Sequence, residues 1–167
     1  MKNLLVFILL SPLVLSCQAE NAVSKYPAQV GDISFDKKID DEFERCVNEK
    51  LTFQYYNDAN SFNYKGEKIE IQRKLAGLHF QSDQTANGYI TIRFVVNCDG
   101  KTGLFRVQQM NTNYEEIAFN KKLRDQLLDF TKNLDGWIPK EYLGVKLNYY
   151  QYLTFKIENG KVSEILP

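Results

Sequence analysis

The chain has 167 residues, 44% apolar and 13% aromatic, with 21 basic side chains matched by 21 acidic ones. That is enough apolar material for the core of one ordinary domain. The charge balance gives no electrostatic reason to expect nucleic acid, and there is no polybasic patch for anionic lipid.

The first element is a leader. Met1-Lys2-Asn3 gives a basic start, Leu4 to Leu15 an apolar run, and Ser16-Cys17 a small residue followed by cysteine. The run falls short of the about 20 residues that cross a bilayer. It has no stop-transfer charges behind it, so it reads as a removable signal peptide. Val14-Leu15-Ser16-Cys17 resembles the lipobox of bacterial lipoproteins, fitting at Ser16 and Cys17 and more loosely at Val14 and Leu15. The resemblance implies cleavage after residue 16 and diacylglycerol on the Cys17 sulfur. An ordinary signal peptide cut near Ser16 or Ala19 is the alternative, leaving Cys17 as a spare thiol. Two or more acyl chains give stable anchoring. Gln18 follows the cysteine, which by resemblance to lipoprotein sorting implies the outer membrane, facing the periplasm. The partner at this end is therefore the membrane itself, through a lipid anchor at Cys17.

Without the leader the chain carries a net charge of about −1. Cys46 and Cys98 then form an even pair in an oxidising compartment, where a disulfide is expected. Such a bridge closes a loop of roughly fifty residues and would restrict the unfolded chain by about 4 kcal/mol. Two buried, unpaired thiols are the alternative.

Residues 17–33 lack periodicity and read as a tether. An N-terminal helical extension is expected over 34–87. From about Asp36 to Tyr55, Ile39, Phe43, Cys46, Val47 and Leu51 share one face at spacings of three and four. Asp36, Asp40, Asp41 and Glu42 crowd the first turns, where the helix dipole favours acid. Lys65-Gly66-Glu67 opens a second segment, with Ile71, Leu75 and Leu78 at helical spacing and Gly77 against it.

The texture changes at Gly88. Ile90, Ile92, Phe94 and Val96 alternate with Thr91, Arg93 and Val95, predicting a strand. Asp99-Gly100 predicts a hairpin into a second strand from Leu104 to Met110. Thr112-Asn113-Tyr114-Glu115 has capping-box spacing and opens a predicted helix with Ile117, Leu123, Leu127, Phe130 and Leu134 on its stripe, stopped by Gly136. After Trp137-Ile138-Pro139 comes an alternating strand from Leu147 to Ile157. Asn159-Gly160 turns it into a last strand, Val162 to Leu166. The fold class is α+β, a small antiparallel ββαββ sheet over 88–167 with helices on one face.

The ordered set Gly88, the strand to Asn97, Asp99-Gly100, the strand Leu104 to Val107, the stripe Ile117 to Leu134, Trp137, Pro139, Gly144-Val145 and Phe155 resembles the C-terminal domain of TonB. That family transduces energy to bacterial outer-membrane transport. It has an uncleaved membrane helix and a long proline-rich stalk, whereas this chain offers a lipoprotein-like leader and a short tether. What the resemblance implies here is a small sheet whose edge strand pairs with an extended segment of an envelope protein, in the extreme an outer-membrane transporter.

Within the last long strand, Leu147, Tyr149, Leu153, Phe155 and Ile157 form the better core face. Tyr150, Tyr152, Thr154 and Lys156 form the opposite face, a candidate partner-binding surface, since tyrosine offers large area at low entropic cost. Tyr150 and Tyr152 packed beneath the N-terminal helices is the competing expectation. A tyrosine-lined grip on a small ligand or glycan is the competing function.

Reaction chemistry is not visible. The sole histidine, His79, has no evident partner for a cysteine dyad. The acidic cluster Asp40, Asp41, Glu42 and Glu44 reads as a solvated helix face. No phosphate loop, nucleophile elbow or metal-ligand spacing occurs. No catalytic residue, cofactor or metal is expected.

Overall fold

The computed structural model describes residues 32–40, 43–47, 52–54, 62–80 and 85–166. Cys17, the leader and the tether up to Gly31 lie outside the described residues. Among the described residues there are two helices, α1 (Glu67–Ala76) and α2 (Lys121–Lys132). The strands are β1 (Gly88–Val96), β2 (Thr102–Asn111), β3 (Lys140–Tyr142), β4 (Val145–Leu147), β5 (Tyr149–Glu158) and β6 (Lys161–Leu166). The protein is α+β. Four strands form an antiparallel sheet in the order β2-β1-β5-β6, and β3-β4 form a separate two-stranded sheet.

The alternation in β1 and β5 dictates the core. Ile90, Ile92, Phe94 and Val96 from β1 meet Tyr149, Leu153, Phe155 and Ile157 from β5, all at 1% exposure or less. Ile71 of α1 and Leu123, Leu127 and Phe130 of α2 close the same core. Trp137 is its aromatic hub, with ring centroids 4.9 Å from Tyr64 and 5.1 Å from Phe94. The stretch around Trp137 is also a pairing segment: Lys65 N–H donates to the Gly136 carbonyl and Ile138 N–H to the Asn63 carbonyl, at 2.8 and 2.9 Å. Gly136 is needed there because a Cβ would sit 2.6 Å from the Tyr64 ring.

Both predicted tight turns form where the turn chemistry demands them. Asn159 and Gly160 have φ of 52° and 74°, the two left-handed positions of a type I′ hairpin turn.

Two expected helices differ. The helix over Asp36 to Tyr55 is absent from the described part of that stretch, which holds one turn at 37–39 and then irregular backbone. Asp36 closes that turn, its carboxylate accepting Lys38 N–H at 2.9 Å. Beyond it, tertiary contacts take the groups a helix would use. Cys46 N–H, which would donate four residues back, donates instead to Asn148 Oδ1 at 3.0 Å. Phe53 forms a short parallel bridge with Tyr149, its N–H donating to the Asn148 carbonyl at 2.9 Å. The helix expected from Thr112 begins at Lys121. Asn111 Oδ1 accepts from Asn113 and Glu115 N–H at 2.9 and 3.0 Å, but Tyr114 at φ 63° leaves the helical region and Asn111 N–H donates to the Glu115 carbonyl at 2.9 Å, so the chain turns back instead of starting a helix. Asn120 is the actual cap, accepting from Lys122 N–H at 2.9 Å.

Sequence reading also passes over the β3–β4 hairpin. Leu147, expected to open the long strand, ends β4 instead. Among the described residues no helix is long and apolar enough to cross a membrane.

Candidate functional site

The two faces of the sheet differ in what covers them. The first carries the helices. On the second, Val95, Leu104 and Tyr150 make a small apolar cluster beneath Ile33, with Phe43 packed alongside. Residues 32–40 and 43–47 thus act as a strap lying across part of this face. A Cβ on Gly103 would collide with the Phe43 ring, so glycine at 103 lets the strap lie close to β2.

Three devices hold the strap. Cys46 and Cys98 are joined by a disulfide with their Cα atoms 5.9 Å apart. Arg106 of β2 grips Asp40 with both terminal nitrogens at 2.7 Å, and Asp40's side chain is 1% exposed. That guanidinium holds the Asp40 carboxyl below the usual carboxylate range, against the opposing effect of burial. The Asn148 side chain supplies the third hold, donating to the Val47 carbonyl at 3.0 Å while accepting from Cys46. Asp40 is therefore a buried ion-pair partner and not part of a solvated helix face. Glu44 is exposed, and Asp41 and Glu42 lie outside the described residues.

The strap decides the fate of the tyrosine face. Tyr150 is 5% exposed, and its hydroxyl receives Ile33 N–H at 3.4 Å. It lies under the strap, which is irregular chain and not the helix expected there, and so it leaves the candidate surface. Tyr152, Thr154 and Lys156 remain half-buried. Thr154 shares a 3.0 Å hydrogen bond with Thr91, and Lys156 reaches Glu158 at 2.9 Å and Glu164 at 3.4 Å. Arg93 lies in register between Arg106 and Tyr152, and burial lowers its pKa.

A second site was missed from sequence. The outer edge of β6 has no strand beside it among the described residues. Alongside runs a groove of about 410 Å³ lined by Leu75, Leu78, His79, Phe80, Val162 and Ile165. Leu78 is 49% exposed there. Phe80 is fixed from behind by Phe130, ring centroids 5.8 Å apart. The opposite edge is different: residues 115–117 return along the end of β2, with Ile117 N–H donating to the Gln109 carbonyl at 3.1 Å. Leu75, Leu78 and Val162 were legible as apolar positions, but nothing local says that a helix end would flank an edge strand.

A larger recess of about 630 Å³ lies between the strap and α2, bordered by Asp40, Cys46, Asp99 and Lys132. Cys46, Cys98 and Asp99 are the one cluster of potential metal-ligating side chains among the described residues. Both sulfurs are bonded to each other, which removes them as thiolate ligands or nucleophiles in this state. No protein-family model, no curated protein and no solved structure matches the chain.

Proposed function

We propose that the protein is a lipid-anchored component of a bacterial cell envelope that works by contact with another protein, through the β6 edge and the groove beside it. The observation that carries the reading is the β6 edge, which has no strand beside it among the described residues and is flanked by a largely apolar groove. An exposed strand edge offers a row of backbone donors and acceptors to an extended segment, and pockets beside it choose the side chains. Lys161 and Glu164 on β6 are exposed and guard the edge against indiscriminate pairing. The leader ending in Ser16-Cys17 supports attachment at Cys17 and an address at the outer membrane. The likeness of the Gly88–Phe155 pattern to the TonB C-terminal domain supports the same mode of contact, with an outer-membrane transporter as one such partner.

Two experiments test this. Radiolabelled palmitate should enter the native chain and not the Cys17→Ser chain; equal labelling removes the anchor. Substituting Leu78→Asp places a charge in the groove at an exposed position, and it should abolish partner contact while leaving the thermal unfolding midpoint nearly unchanged. Contact that survives this change would point away from the groove.

A further inference from the structure

The β3–β4 hairpin concentrates exposed apolar surface at one point. Nine large apolar side chains are exposed among the described residues, and Tyr142, Leu143 and Val145 of the hairpin are three of them. Leu143 is 86% exposed and Tyr142 60%. At the tip Leu143 has φ 50° and Gly144 φ 79°, the left-handed pair of a tight hairpin turn. The first of those places ordinarily takes Asn, Asp or Gly, because a larger side chain crowds the backbone there. Leucine at 143 is thus unfavourable twice, through its backbone and through its exposure. Local packing does not account for it, since the side chain is left almost fully exposed.

Behind the tip the chemistry changes in layers. Tyr142 turns its ring toward Phe53, centroids 6.0 Å apart. Lys140 stands with its Nζ 4.6 Å over the Tyr149 ring, and Lys146 is exposed on the facing strand. Glu141 opposes them, leaving the hairpin cationic by one charge. An aliphatic point, an amphipathic ring and, behind them, an exposed lysine in register with Glu141 follow the order of a bilayer surface: acyl chains, interface, polar headgroups. Leu143 stands almost wholly out of the fold at the turn, where a fluid can envelop it.

We infer that the β3–β4 hairpin docks on a lipid bilayer, burying Leu143 and Val145 at the boundary between headgroups and acyl chains. The hairpin does so whether or not Cys17 is acylated, and so orients the domain on the membrane independently of the anchor and of the β6 contact.

The test uses the full chain carrying Leu143→Trp, mixed with phosphatidylethanolamine–phosphatidylglycerol vesicles with or without brominated acyl chains. The native indole at Trp137 is 2% exposed and contributes a constant emission, subtracted with the unsubstituted chain. The new emission should shift to the blue and be quenched by the brominated chains, in both the native and the Cys17→Ser background. Val145→Trp should behave alike, and Ile69→Trp, exposed on α1, should not be quenched. Emission at the tip unchanged by brominated lipid, in chains that sediment with the vesicles, overturns the proposal and assigns the tip to water or to a protein. Quenching equal at Ile69 overturns it too, since the hairpin would then hold no special place. Palmitate labelling reports separately on Cys17, so failure of the anchor and failure of the hairpin are distinguishable.

Discussion

The side chain of Asn148 does for Cys46 what a helix would have done. Fully buried between β4 and β5, it accepts the Cys46 N–H at 3.0 Å and donates to the next residue's carbonyl at the same distance. One amide thereby satisfies a donor and an acceptor in a segment that has no regular structure of its own. Asn148→Ala removes both partners at once and should destabilise the protein by about 2 kcal/mol or more. Urea unfolding monitored through Trp137 measures this. A loss of only a few tenths would mean that the strap does not need the amide.

The disulfide holds the same end of the strap across a separation of 52 residues. Closing a loop of that size is worth about 4 kcal/mol in the chain-entropy model. Unfolding with and without a phosphine reductant should differ by a large part of that figure. Peptide mapping without reduction should recover Cys46 joined to Cys98, and recovery of two free thiols would contradict the pairing.

At the other end, Arg106 and Asp40 give a pH signature. Asp40's pKa is lowered in the fold, chiefly by the hydrogen-bonded Arg106. Its contribution is therefore complete above the unfolded value of 3.8 and is lost as pH falls through the still lower folded value. The native chain should lose stability below that point more steeply than Asp40→Asn. At neutral pH, Arg106→Ala strands a buried carboxylate and should cost about 3 kcal/mol. Parallel acid curves for the native chain and Asp40→Asn would show that the pair is not what holds the strap.

Lys140 gives the opposite signature. Burial lowers its pKa from 10.5 to about 8, so the fold disfavours its charged form. Between those two values the unfolded chain binds more protons, and stability from this group rises as pH climbs from about 8 toward 10.5. Half-exposure and the Tyr149 ring beneath the ammonium moderate the effect. Lys140→Met should flatten this rise. An unchanged slope in that variant would place the titration elsewhere.

What was legible in the sequence follows from how local each signal is. The alternation of Ile90, Ile92, Phe94 and Val96, and of Tyr149, Leu153, Phe155 and Ile157, fixes a strand's period and face within a few residues. The tight turn at Asn159-Gly160 is legible because few residues accept its dihedrals. The stretch from Asp36 misled because its helical periodicity is real, yet Arg106, Cys98 and Asn148, remote in sequence, claim its side chains and amides. Thr112 to Glu115 misled because Asn111 closes its own turn first, and the equally local cap at Asn120 sits only nine residues later. For the candidate site, the opposite face of β5 was read correctly as a face. That the strap would bury Tyr150 and leave Tyr152, Thr154 and Lys156 depended on tertiary contact, as did the groove beside β6.

The most direct measurement is photo-cross-linking in intact cells from a benzophenone amino acid placed at Ser163 on the β6 edge, with adducts identified by peptide sequencing. The account predicts a defined envelope protein joined through an extended segment, lost with Leu78→Asp and absent when the probe sits at the exposed Lys122 on α2. Adducts equally abundant from Lys122, or unaffected by Leu78→Asp, would contradict contact through this edge.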